Sequence, residues 1–341
     1  MGRPRFVHLR LHSEYSVSDG IVRIDDAVKR AAEGHMPALA LTDAGNLFGL
    51  VKFYGAARAA GVKPIIGADC WVENQAERDK PARLLILCAS RTGYRRLCEL
   101  LSRAWLENQH RGRALLARGW LEQSSEGLLA LSGFLDGELA GPLLSDHGES
   151  AERIARYWAE LFPGRYYIEI QRAAQANGEA LLARSVALAS RLGLPVVATH
   201  PVQFLEADDF KAHEARVCIA QGYLLGDQRR PRPFTAEQYF KSQEEMARLF
   251  ADAPQALENS VEIARRCNLD IELGRTRLPT FPTPPEVTLD EHLAREARAG
   301  LERRMNALAL GEEARARYRQ RLEFEIGTIV QMGFAGYFLI V

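Results

Sequence analysis

The chain has no excess of one charge, because its 44 lysines and arginines are matched by 44 aspartates and glutamates. Net charge therefore gives no general reason to expect nucleic acid or a membrane surface as a partner. Hydrophobic residues make up 47% and charged residues 26% of the 341 residues, which is typical of a globular protein with a substantial core. A chain of this length can hold one barrel-like domain and an additional region.

Paired cysteines and long apolar runs are also missing. The five cysteines show no C-x-x-C spacing, which disfavours a zinc site or a disulfide framework and favours a reducing compartment. No stretch reaches the roughly 18 consecutive apolar residues of a membrane helix, and the N-terminus has no hydrophobic signal core. These features predict a cytoplasmic protein with no membrane partner.

Several common catalytic motifs are absent as well. The sequence contains neither of the glycine patterns that bind phosphates, G-x-x-x-x-G-K-[ST] and G-x-G-x-x-G, and no G-x-S-x-G nucleophile motif. Aromatic and basic residues do not alternate in the way that is typical of a platform for single-stranded nucleic acid. The remaining candidates for chemistry are polar residues that follow apolar runs.

Short β-rich runs alternate with amphipathic helical runs over the first two thirds of the chain. This alternation predicts an α/β fold with a parallel sheet and helical crossovers, either open or closed into a barrel. In such barrels the functional residues lie at the carboxyl ends of the strands, so the pattern predicts a pocket at one rim. The predicted strands are Phe6–Leu11, Ala38–Thr42, Val62–Ile66, Arg83–Ala89, Leu128–Leu131, Tyr166–Ile170 and Leu194–Thr199.

The sequence changes character after Gly222. Two capping boxes, Ser242–Glu245 and Thr288–Glu291, each predict the start of a helix, because the serine or threonine and the glutamate can cap each other's backbone N–H. The segment Leu278–Pro285 contains four prolines in eight residues, which stiffens the chain and predicts a domain boundary.

Two long charged helices are predicted after that boundary, at Leu289–Ala309 and Glu312–Gln331. The last eight residues, Phe334–Val341, are apolar and are predicted to be an unpaired strand. Because such a strand favours aggregation, we expect the chain to be an N-terminal fragment that ends at the edge of its next domain.

Polar residues near the predicted strand ends are candidates for a divalent-metal site. His12 and Asp19 lie around a turn after the first strand, and Asp69 is expected at the end of the third. Imidazole and carboxylate groups from neighbouring strands are the ligands that such metals use. Asp43 has two open interpretations, as a ligand or as the cap of a helix that starts near Leu47. Each of these residues also has a purely structural alternative as a turn former, a cap or a hydrogen-bonded strand end.

Arg10 occupies the place where this kind of site would have another histidine. Side chains alternate along a strand, so residues 10 and 12 are expected to project to the same side. A guanidinium has no lone pair for a metal and repels cations. Arg10 therefore raises the question of whether the chain is an enzyme or an enzyme fold that serves another purpose.

The chain resembles the alpha-subunit family of bacterial DNA polymerase III, whose members begin with a polymerase-and-histidinol-phosphatase (PHP) domain. The resemblance implies a distorted (β/α)7 PHP barrel over about residues 5–222 with a helical extension over 223–275. A proline-rich linker over 276–287 and the start of the polymerase palm region over 288–341 would follow. The stretches that carry the resemblance are Phe6–Gly20, Met36–Gly49, Val51–Asp69, Leu194–Phe204 and Gln331–Val341.

The resemblance also implies that the metal site of the PHP fold is eroded here. Metal-binding members use nine ligands, of which His12, Asp19 and Asp69 would be retained as residual candidates, while Asp43 lies in the same vestigial pocket. An arginine among metal ions would be costly, whereas an arginine paired with Asp19 or Asp69 would hold the pocket together. The replaced ligand positions are Arg10, Ala44, Arg83, Ala173, Pro201 and Gln203.

An eroded PHP domain in this family implies a structural and docking role. Its partner would be the separate 3′–5′ proofreading exonuclease (epsilon) subunit, alongside the other subunits of the polymerase III holoenzyme. The polymerase aspartates and their Mg²⁺ would lie downstream of Val341. The resemblance therefore implies no catalytic residue and no cofactor in this portion, and contact with DNA only through the full-length protein.

Two alternatives remain open at this point. The first is an active, metal-dependent PHP phosphoesterase or exonuclease with a residual site, in which His200 replaces a lost ligand. The second is a DNA-contacting surface at Arg229–Arg232 or along Arg315–Arg321, whose affinity would fall steeply with salt. Arginines spaced every two residues on a helix spread around it, which makes the 315–321 region the weaker candidate.

Overall fold

The structure is a computed structural model that describes residues 6–74, 77–123, 125–275, 278–308 and 310–341. The chain divides into two compact units, one that ends at Ile271 and one from Glu272 to Val341. Residues 276 and 277 of the predicted linker and the predicted helix end at Ala309 lie outside the described residues. The finer domain limits, at residues 222, 275 and 287, stay predictions.

The first unit is built on one mixed sheet. Its hydrogen-bonded order is β4-β5-β2-β3-β6-β7-β8. β1 lies outside this order and pairs with the first residues of β2, Lys63 to Ile66. Nearly every strand residue is buried, because helices or loops cover both faces. The strands are β1 (Ala38–Leu41), β2 (Lys63–Val72), β3 (Ala82–Cys88), β4 (Gln109–His110), β5 (Arg113–Leu116), β6 (Leu128–Leu131), β7 (Tyr166–Ile170) and β8 (Val196–Ala198).

The N-terminal segment joins the two ends of this sheet. The N–H groups of Ala40 and Thr42 donate to the carbonyls of His8 and Leu11, and Leu11 forms a parallel bridge with Val202, just after β8. Hydrogen bonding thus continues from β1 through this segment to the end of β8, as the barrel prediction requires. The predicted first strand is present only as this extended segment with isolated bridges.

Two strands depart from the predicted parallel sheet, β3 and the short β4, which is antiparallel to β5. β3 is antiparallel to both of its neighbours, β2 and β6, whereas the pairs β1–β2, β6–β7 and β7–β8 are parallel. The nine residues between Val72 and Ala82 are too few for a helical crossover, so β2 and β3 form a hairpin instead. This hairpin also extends β2 to Val72, well beyond the predicted strand end at Ile66.

Helices cover the outside of the barrel and bury one face each. α6 is representative, because Ala151, Ala155 and Trp158 are buried at the spacing of one helical stripe. The predicted capping box at Ser242–Glu245 is confirmed at the start of α9. The helices of this unit are α1 (Ile24–Glu33), α2 (Leu50–Ala59), α3 (Arg91–Glu107), α4 (Arg118–Gln123), α5 (Ala140–Leu144), α6 (Gly148–Leu161), α7 (Gly178–Leu192), α8 (Phe210–Gln221), α9 (Gln243–Leu249) and α10 (Pro254–Arg266).

α10 closes the end of the barrel where the strands begin. Ser260 Oγ accepts a hydrogen bond from the Val7 N–H at 3.0 Å, and Asn259 donates to the carbonyl of Val196 at the start of β8. Apolar side chains of α10 join the barrel interior, so only the opposite rim is left for a polar site. The interior cluster consists of Val7, Leu9, Ala38, Ala40, Ile65, Leu85, Leu87, Leu129, Leu131, Tyr167, Val197, Val261, Ile263, Ala264 and Cys267.

The second unit is helical, with α11 (Leu289–Ala307), α12 (Glu312–Gln331) and α13 (Ala335–Ile340). Ion pairs link α11 and α12 in antiparallel register, from Arg298 to Glu323 and from Arg319 to Glu302. The capping box predicted at Thr288 is confirmed at the start of α11.

The prediction of a strand over residues 334–341 is wrong, because residues Ala335–Ile340 form α13. Gly333, with a φ of 71°, ends α12 in the left-handed region that glycine adopts readily. A helix satisfies its own backbone hydrogen bonds, whereas a strand needs a neighbouring strand. The described residues of this unit contain no strand that could serve as that neighbour.

Candidate functional site

Arg10 lies at the centre of the rim, between two buried carboxylates. Its Nε and Nη2 donate to the two oxygens of Glu169 at 3.0 and 3.1 Å, and its Nη1 donates to Asp69 Oδ2. Arg10 is 5% exposed, Asp69 1% and Glu169 0%. Burial alone would lower the pKa of the guanidinium, but Asp69 and Glu169 more than offset this and raise that pKa. The planar guanidinium therefore acts as a charged cross-link between β2 and β7.

After Arg10, His12 makes the second cationic contact with the Asp69 carboxylate. Its Nε2 lies 3.2 Å from Asp69 Oδ2, and its Nδ1 lies 3.0 Å from Asp19 Oδ1. Burial disfavours a charged imidazole, but Asp19 and Asp69 outweigh burial and raise the pKa of His12 to about 9. At neutral pH both ring nitrogens therefore carry protons, and the imidazolium has no lone pair to give to a metal.

Asp19 reaches His12 because the loop between them returns tightly to the strand it left. At Gly20 a Cβ atom would lie only 1.9 Å from the carbonyl oxygen of Ser13, so this close approach requires glycine. Burial would raise the pKa of Asp19, but His12 outweighs burial and lowers it. His12 and Asp19, which are seven residues apart in the sequence, are thus in direct contact.

Asp69 lies inside β2 rather than at a strand end, which corrects the prediction. The hairpin with β3 continues past this residue and pairs it with Leu85. Burial would raise the pKa of the carboxyl, but Arg10 and Arg83 outweigh burial and hold it far below its ordinary range. Asp69 is thus an ionised carboxylate that several cations share.

Arg83 is the third cation of the rim. Its Nη1 donates to the backbone oxygen of Asp69 at 3.0 Å and lies 3.5 Å from the carboxylate oxygen Oδ2. Its guanidinium carbon also lies 3.8 Å from the ring centre of Trp71, a distance at which cation–π attraction is favourable. The expectation that Arg10 and Arg83 pair with a carboxylate of the pocket is confirmed for Asp69.

Glu169 is the residue that the sequence-based reasoning missed. It accepts hydrogen bonds from the Gly133 N–H at 3.0 Å, from Gln171 Nε2 at 2.9 Å and from the Thr199 hydroxyl, in addition to Arg10. The sequence offered one signal, a single carboxylate within an otherwise apolar strand. A glutamate is rarely buried unless it is paired, so this position could have indicated a buried ionic partner.

Asp43 does not cap a helix, which was one of the two interpretations that the sequence left open. It accepts hydrogen bonds from the Ser13 N–H at 2.6 Å and from the Ser16 hydroxyl at 2.7 Å. α2 begins only at Leu50, so Asp43 does not cap that helix. Burial raises the pKa of the Asp43 carboxyl, and the serine hydrogen bonds oppose this shift only in part. Its role is to hold the loop over residues 13–16 against the strand end.

Of the other positions where the resemblance implies a replaced ligand, 44, 173 and 201 carry side chains without a donor atom for a metal, and only Gln203 has an amide oxygen. Ala44 forms a backbone bridge with Asp69, and the Ala173 carbonyl accepts a hydrogen bond from Thr235. Pro201 is buried. The Nε2 of Gln203 lies 3.4 Å from His12 Nδ1, beside the ion-paired network.

His200 does not join the rim, which corrects the hypothesis that it replaces a lost ligand. Its Nε2 donates to the carbonyl of Glu237 at 2.9 Å, and its ring lies against His8, with centroids 6.2 Å apart. Burial and the neighbouring His8 lower the pKa of His200 well below its usual value. His213, in contrast, is buried on α8, and its Nε2 donates to the backbone oxygen of Asp19 at 2.7 Å.

The side chains of the rim that the structure describes form an ion-paired network rather than an open cluster of metal ligands. Three cations, Arg10, His12 and Arg83, surround Asp69 at the centre of the network, and Glu169 and Asp19 balance the remaining charge. Arg10 and His12 both contact Asp69 Oδ2, whereas Asp69 Oδ1 has no hydrogen-bond partner among the described residues. Within the part of the chain that the structure describes, no group of three or more His, Cys, Asp or Glu side chains is arranged to hold a metal ion.

The arginine-rich segments use most of their charge internally. In the first segment, Arg229 pairs with Asp227, and Arg230 pairs with Glu214. Internal pairing reduces the charge available to attract phosphates, which weakens the hypothesis of a DNA-contacting surface. In the second segment, Arg315 donates to the carbonyls of Leu310 and Met305, Arg319 pairs with Glu302, and Arg321 pairs with Glu325.

Comparisons with known proteins agree with this architecture. The family model of the PHP domain matches residues 8–173, and that of the bacterial DNA polymerase III alpha NTPase domain matches residues 291–341. An amidohydrolase structure from Chromobacterium violaceum covers 62% of this chain and 96% of its own, with a TM-score of 0.43 and 16% identity, which is too distant to support any inference. The sheet, the rim and the family match define the first unit as a PHP domain.

DNA polymerase III alpha subunits of other bacteria match almost the whole chain. The DNA polymerase III subunit alpha of Pseudomonas aeruginosa is 48% identical over 98% of this chain and 29% of its own length. That of Escherichia coli K12 is 45% identical over 100% of this chain and 30% of its own length. The chain is similar to these bacterial DNA polymerase III alpha subunits over almost its whole length and spans about three tenths of theirs. None of the described helices is long and apolar enough to cross a membrane.

Proposed function

We propose that this chain is the N-terminal part of a replicative DNA-directed DNA polymerase III alpha subunit. Its PHP domain would serve as a structural and docking platform for the 3′–5′ proofreading exonuclease (epsilon) subunit of a cytoplasmic holoenzyme. DNA synthesis and its Mg²⁺ would belong to the part of the relatives that lies beyond the region matched here. The observation that carries the proposal is the Arg10 guanidinium, which bridges Asp69 and Glu169.

Electrostatic balance supports a structural rather than a hydrolytic role. Hydrolysis by a PHP metal centre needs a metal-activated water, and the metal needs free carboxylate oxygens and a neutral imidazole. In this rim the imidazole of His12 is protonated at neutral pH, and Asp69 Oδ2 contacts both Arg10 and His12. A buried network of three cations and three carboxylates cross-links the strands and leaves the outer surface available for partners.

Metal analysis of the purified chain tests the absence of hydrolytic activity. We expect less than one tenth of an equivalent of bound Zn²⁺ or Mn²⁺ after gel filtration, and no turnover of a chromogenic phosphate ester with either metal added. His12→Ala provides the control, because background turnover from a contaminant is insensitive to this substitution. Stoichiometric metal together with turnover that His12→Ala abolishes would refute the proposal.

Docking is tested directly by mixing the purified chain with the purified exonuclease subunit. We expect the two proteins to elute from gel filtration as one complex, with chelator present throughout. If the chain and the exonuclease elute separately at concentrations of about 10 μM each, the docking role is wrong.

A residual phosphoesterase site is the second candidate function. Two observations favour it: His12 contacts both Asp19 and Asp69 within 3.2 Å, and Asp69 Oδ1 is buried without a hydrogen-bond partner among the described residues. Such an oxygen could accept a cation if Arg10 moved away. Activity that appears in an Arg10→His variant but not in the parent chain would show that only this arginine blocks the site.

A further inference from the structure

The outer side of α8 and the loop after it carry exposed aliphatic side chains. Ile219 is 78% exposed and Leu224 is 81% exposed, and Tyr223 lies between them in sequence at 37%. The opposite face of α8 is buried through Val217 and Cys218. We call Ile219, Tyr223 and Leu224 the α8 apolar patch. Grouped aliphatic side chains that are exposed on a well-packed domain are typical of interaction sites.

Arg216 lies one helical turn before this patch and has no partner of its own. It forms no hydrogen bond or ion pair with any described residue, and its Nε is buried without an acceptor. The nearby carboxylate on the same helix, Glu214, is already paired with Arg230. Arg216 also lines a surface cleft with Arg23 and Glu14, and the Glu14 carboxylate lies 3.9 Å from Arg23 and 3.7 Å from Lys52. An unpaired guanidinium in a cleft is suited to a carboxylate from another molecule.

The charge of this segment differs from that of the whole chain. Residues 210–232 contain five lysines and arginines against two aspartates and glutamates, a net charge of +3, whereas the whole chain is neutral. The basic segment therefore complements an acidic partner rather than a second copy of this neutral chain.

α8 is held firmly against the barrel rim, so this surface is preorganised. His213 donates to the backbone oxygen of Asp19 at 2.7 Å, and its ring packs against Phe204 with centroids 5.2 Å apart. A rigid surface loses little conformational entropy when it binds a partner, which increases the affinity that a small contact area can provide.

We propose that the α8 apolar patch and Arg216 bind a polypeptide segment in which a carboxylate lies one helical turn from aliphatic side chains. The carboxylate pairs with the Arg216 guanidinium, and the aliphatic side chains cover Ile219 and Leu224. This proposal rests on the proposed function, because it places such a segment on the exonuclease subunit. Single-stranded DNA is the less suitable ligand, because bases stack on aromatic rings and the patch is mainly aliphatic.

The test measures binding of the purified exonuclease subunit to this chain by titration calorimetry. Ile219→Ser combined with Leu224→Ser is expected to weaken binding at least tenfold, and Arg216→Glu at least tenfold with a reduced dependence on salt. Leu106→Ser is the matched apolar control, since Leu106 is 85% exposed on α3. Arg153→Glu on α6 is the matched charge control. Both controls are expected to bind within twofold of the parent chain.

The outcomes separate this proposal from the docking role itself. If the parent chain does not bind the exonuclease, the docking role and this proposal are both wrong. If binding survives the substitutions at Ile219, Leu224 and Arg216, only this proposal is wrong. Equal weakening by Leu106→Ser or Arg153→Glu also overturns it. A labelled oligodeoxynucleotide is titrated in parallel. If only its binding is lost in the patch variants, the surface belongs to nucleic acid and the proposal is wrong. Circular dichroism melts confirm that each variant is folded.

Discussion

Two histidines of the same N-terminal segment, four residues apart, have opposite properties. His12 faces the rim, where Asp19 and Asp69 raise its pKa to about 9. His8 faces the chain around Lys241, and its Nε2 donates to the Lys241 carbonyl at 2.8 Å. Burial lowers the pKa of His8 to about 4, because the hydrogen bond to the Lys241 carbonyl and the charge of Glu245 offset the loss of hydration only in part.

The difference shows that burial alone does not decide the charge of a group in this barrel. Both imidazoles are almost completely buried, at 0% exposure for His8 and 2% for His12. A carbonyl oxygen accepts a hydrogen bond from a neutral imidazole and stabilises the charged form only modestly, whereas a carboxylate strongly stabilises the imidazolium. The rim is therefore an ionic network, and the region behind it is a neutral polar layer. The predictions below test this contrast from the largest expected effect to the smallest.

The largest effect is expected from Arg10→Ala. This change leaves Asp69 and Glu169 buried without their shared cation, and we expect the free energy of unfolding to fall by about 3–5 kcal/mol. Arg83→Ala is the matched comparison and should cost about 1–2 kcal/mol, because Arg83 contacts mainly a backbone oxygen and the Trp71 ring. Urea unfolding at pH 7 measures both. Equal losses for the two variants would show that Arg10 is not the central cross-link.

The second effect is a loss of stability in alkaline solution. The pKa of His12 is about 9 in the folded chain and 6.5 in a free side chain, so the folded state binds this proton more tightly. The resulting stabilisation is fully present below pH 6.5 and is lost as the pH rises through 9, which amounts to about 3 kcal/mol. His12→Gln should remove this part of the pH dependence in urea unfolding between pH 6 and pH 9. An unchanged slope in the variant would refute the assignment.

The third effect has the opposite sign and concerns His8. Its folded pKa of about 4 lies below the ordinary 6.5, so the unfolded chain takes up the proton first. The stability is present above pH 6.5 and is lost as the pH falls toward 4, by about 2 kcal/mol between pH 7.5 and pH 5. His8→Phe should flatten this acid limb and leave the alkaline limb unchanged. A flattened alkaline limb instead would mean that the two histidines are coupled.

The smallest effect is expected at the start of α9, next to Lys241, whose carbonyl accepts the hydrogen bond from His8. Ser242 caps α9 through the Glu245 N–H at 3.2 Å, and Ser242→Ala should lower the free energy of unfolding by about 1 kcal/mol. Ser242→Asp is the control, since aspartate also caps helices and should preserve stability. Thermal melts at pH 7 distinguish these outcomes, and a loss equal to that of Arg10→Ala would contradict the ranking.

Local features were predictable because they depend on neighbours in the chain. Both capping boxes form where the spacing of Ser242 and Thr288 to their glutamates indicated. The alternation of apolar runs indicated the barrel. The direction of β3 was not predicted, although the short connection before it could have suggested a hairpin. The strand over residues 334–341 was also wrongly predicted, since apolar composition alone does not distinguish a strand from a short helix.

The partners of the site residues were only partly predictable, because they come from distant parts of the chain. Arg10 and Asp69 could be paired in principle from their charges, but Glu169 is 159 residues from Arg10 and has no motif around it. His200 follows a strand that leads to the rim, yet its ring points to the carbonyl of Glu237. The rotation of a side chain at a strand end depends on packing that a one-dimensional pattern does not contain.

The order of residues alone placed a guanidinium at position 10, where the family resemblance implies a metal-ligating imidazole. A positive charge that cannot titrate near neutral pH excludes ordinary metal coordination at that position, whatever the surrounding geometry. Only the folded chain decided that the charge is balanced, by bringing Asp69 and Glu169 to either side of Arg10 from separate strands. The reason is physical: electrostatic attraction in a buried site depends on distances of a few ångströms, and these distances exist only after the barrel has closed.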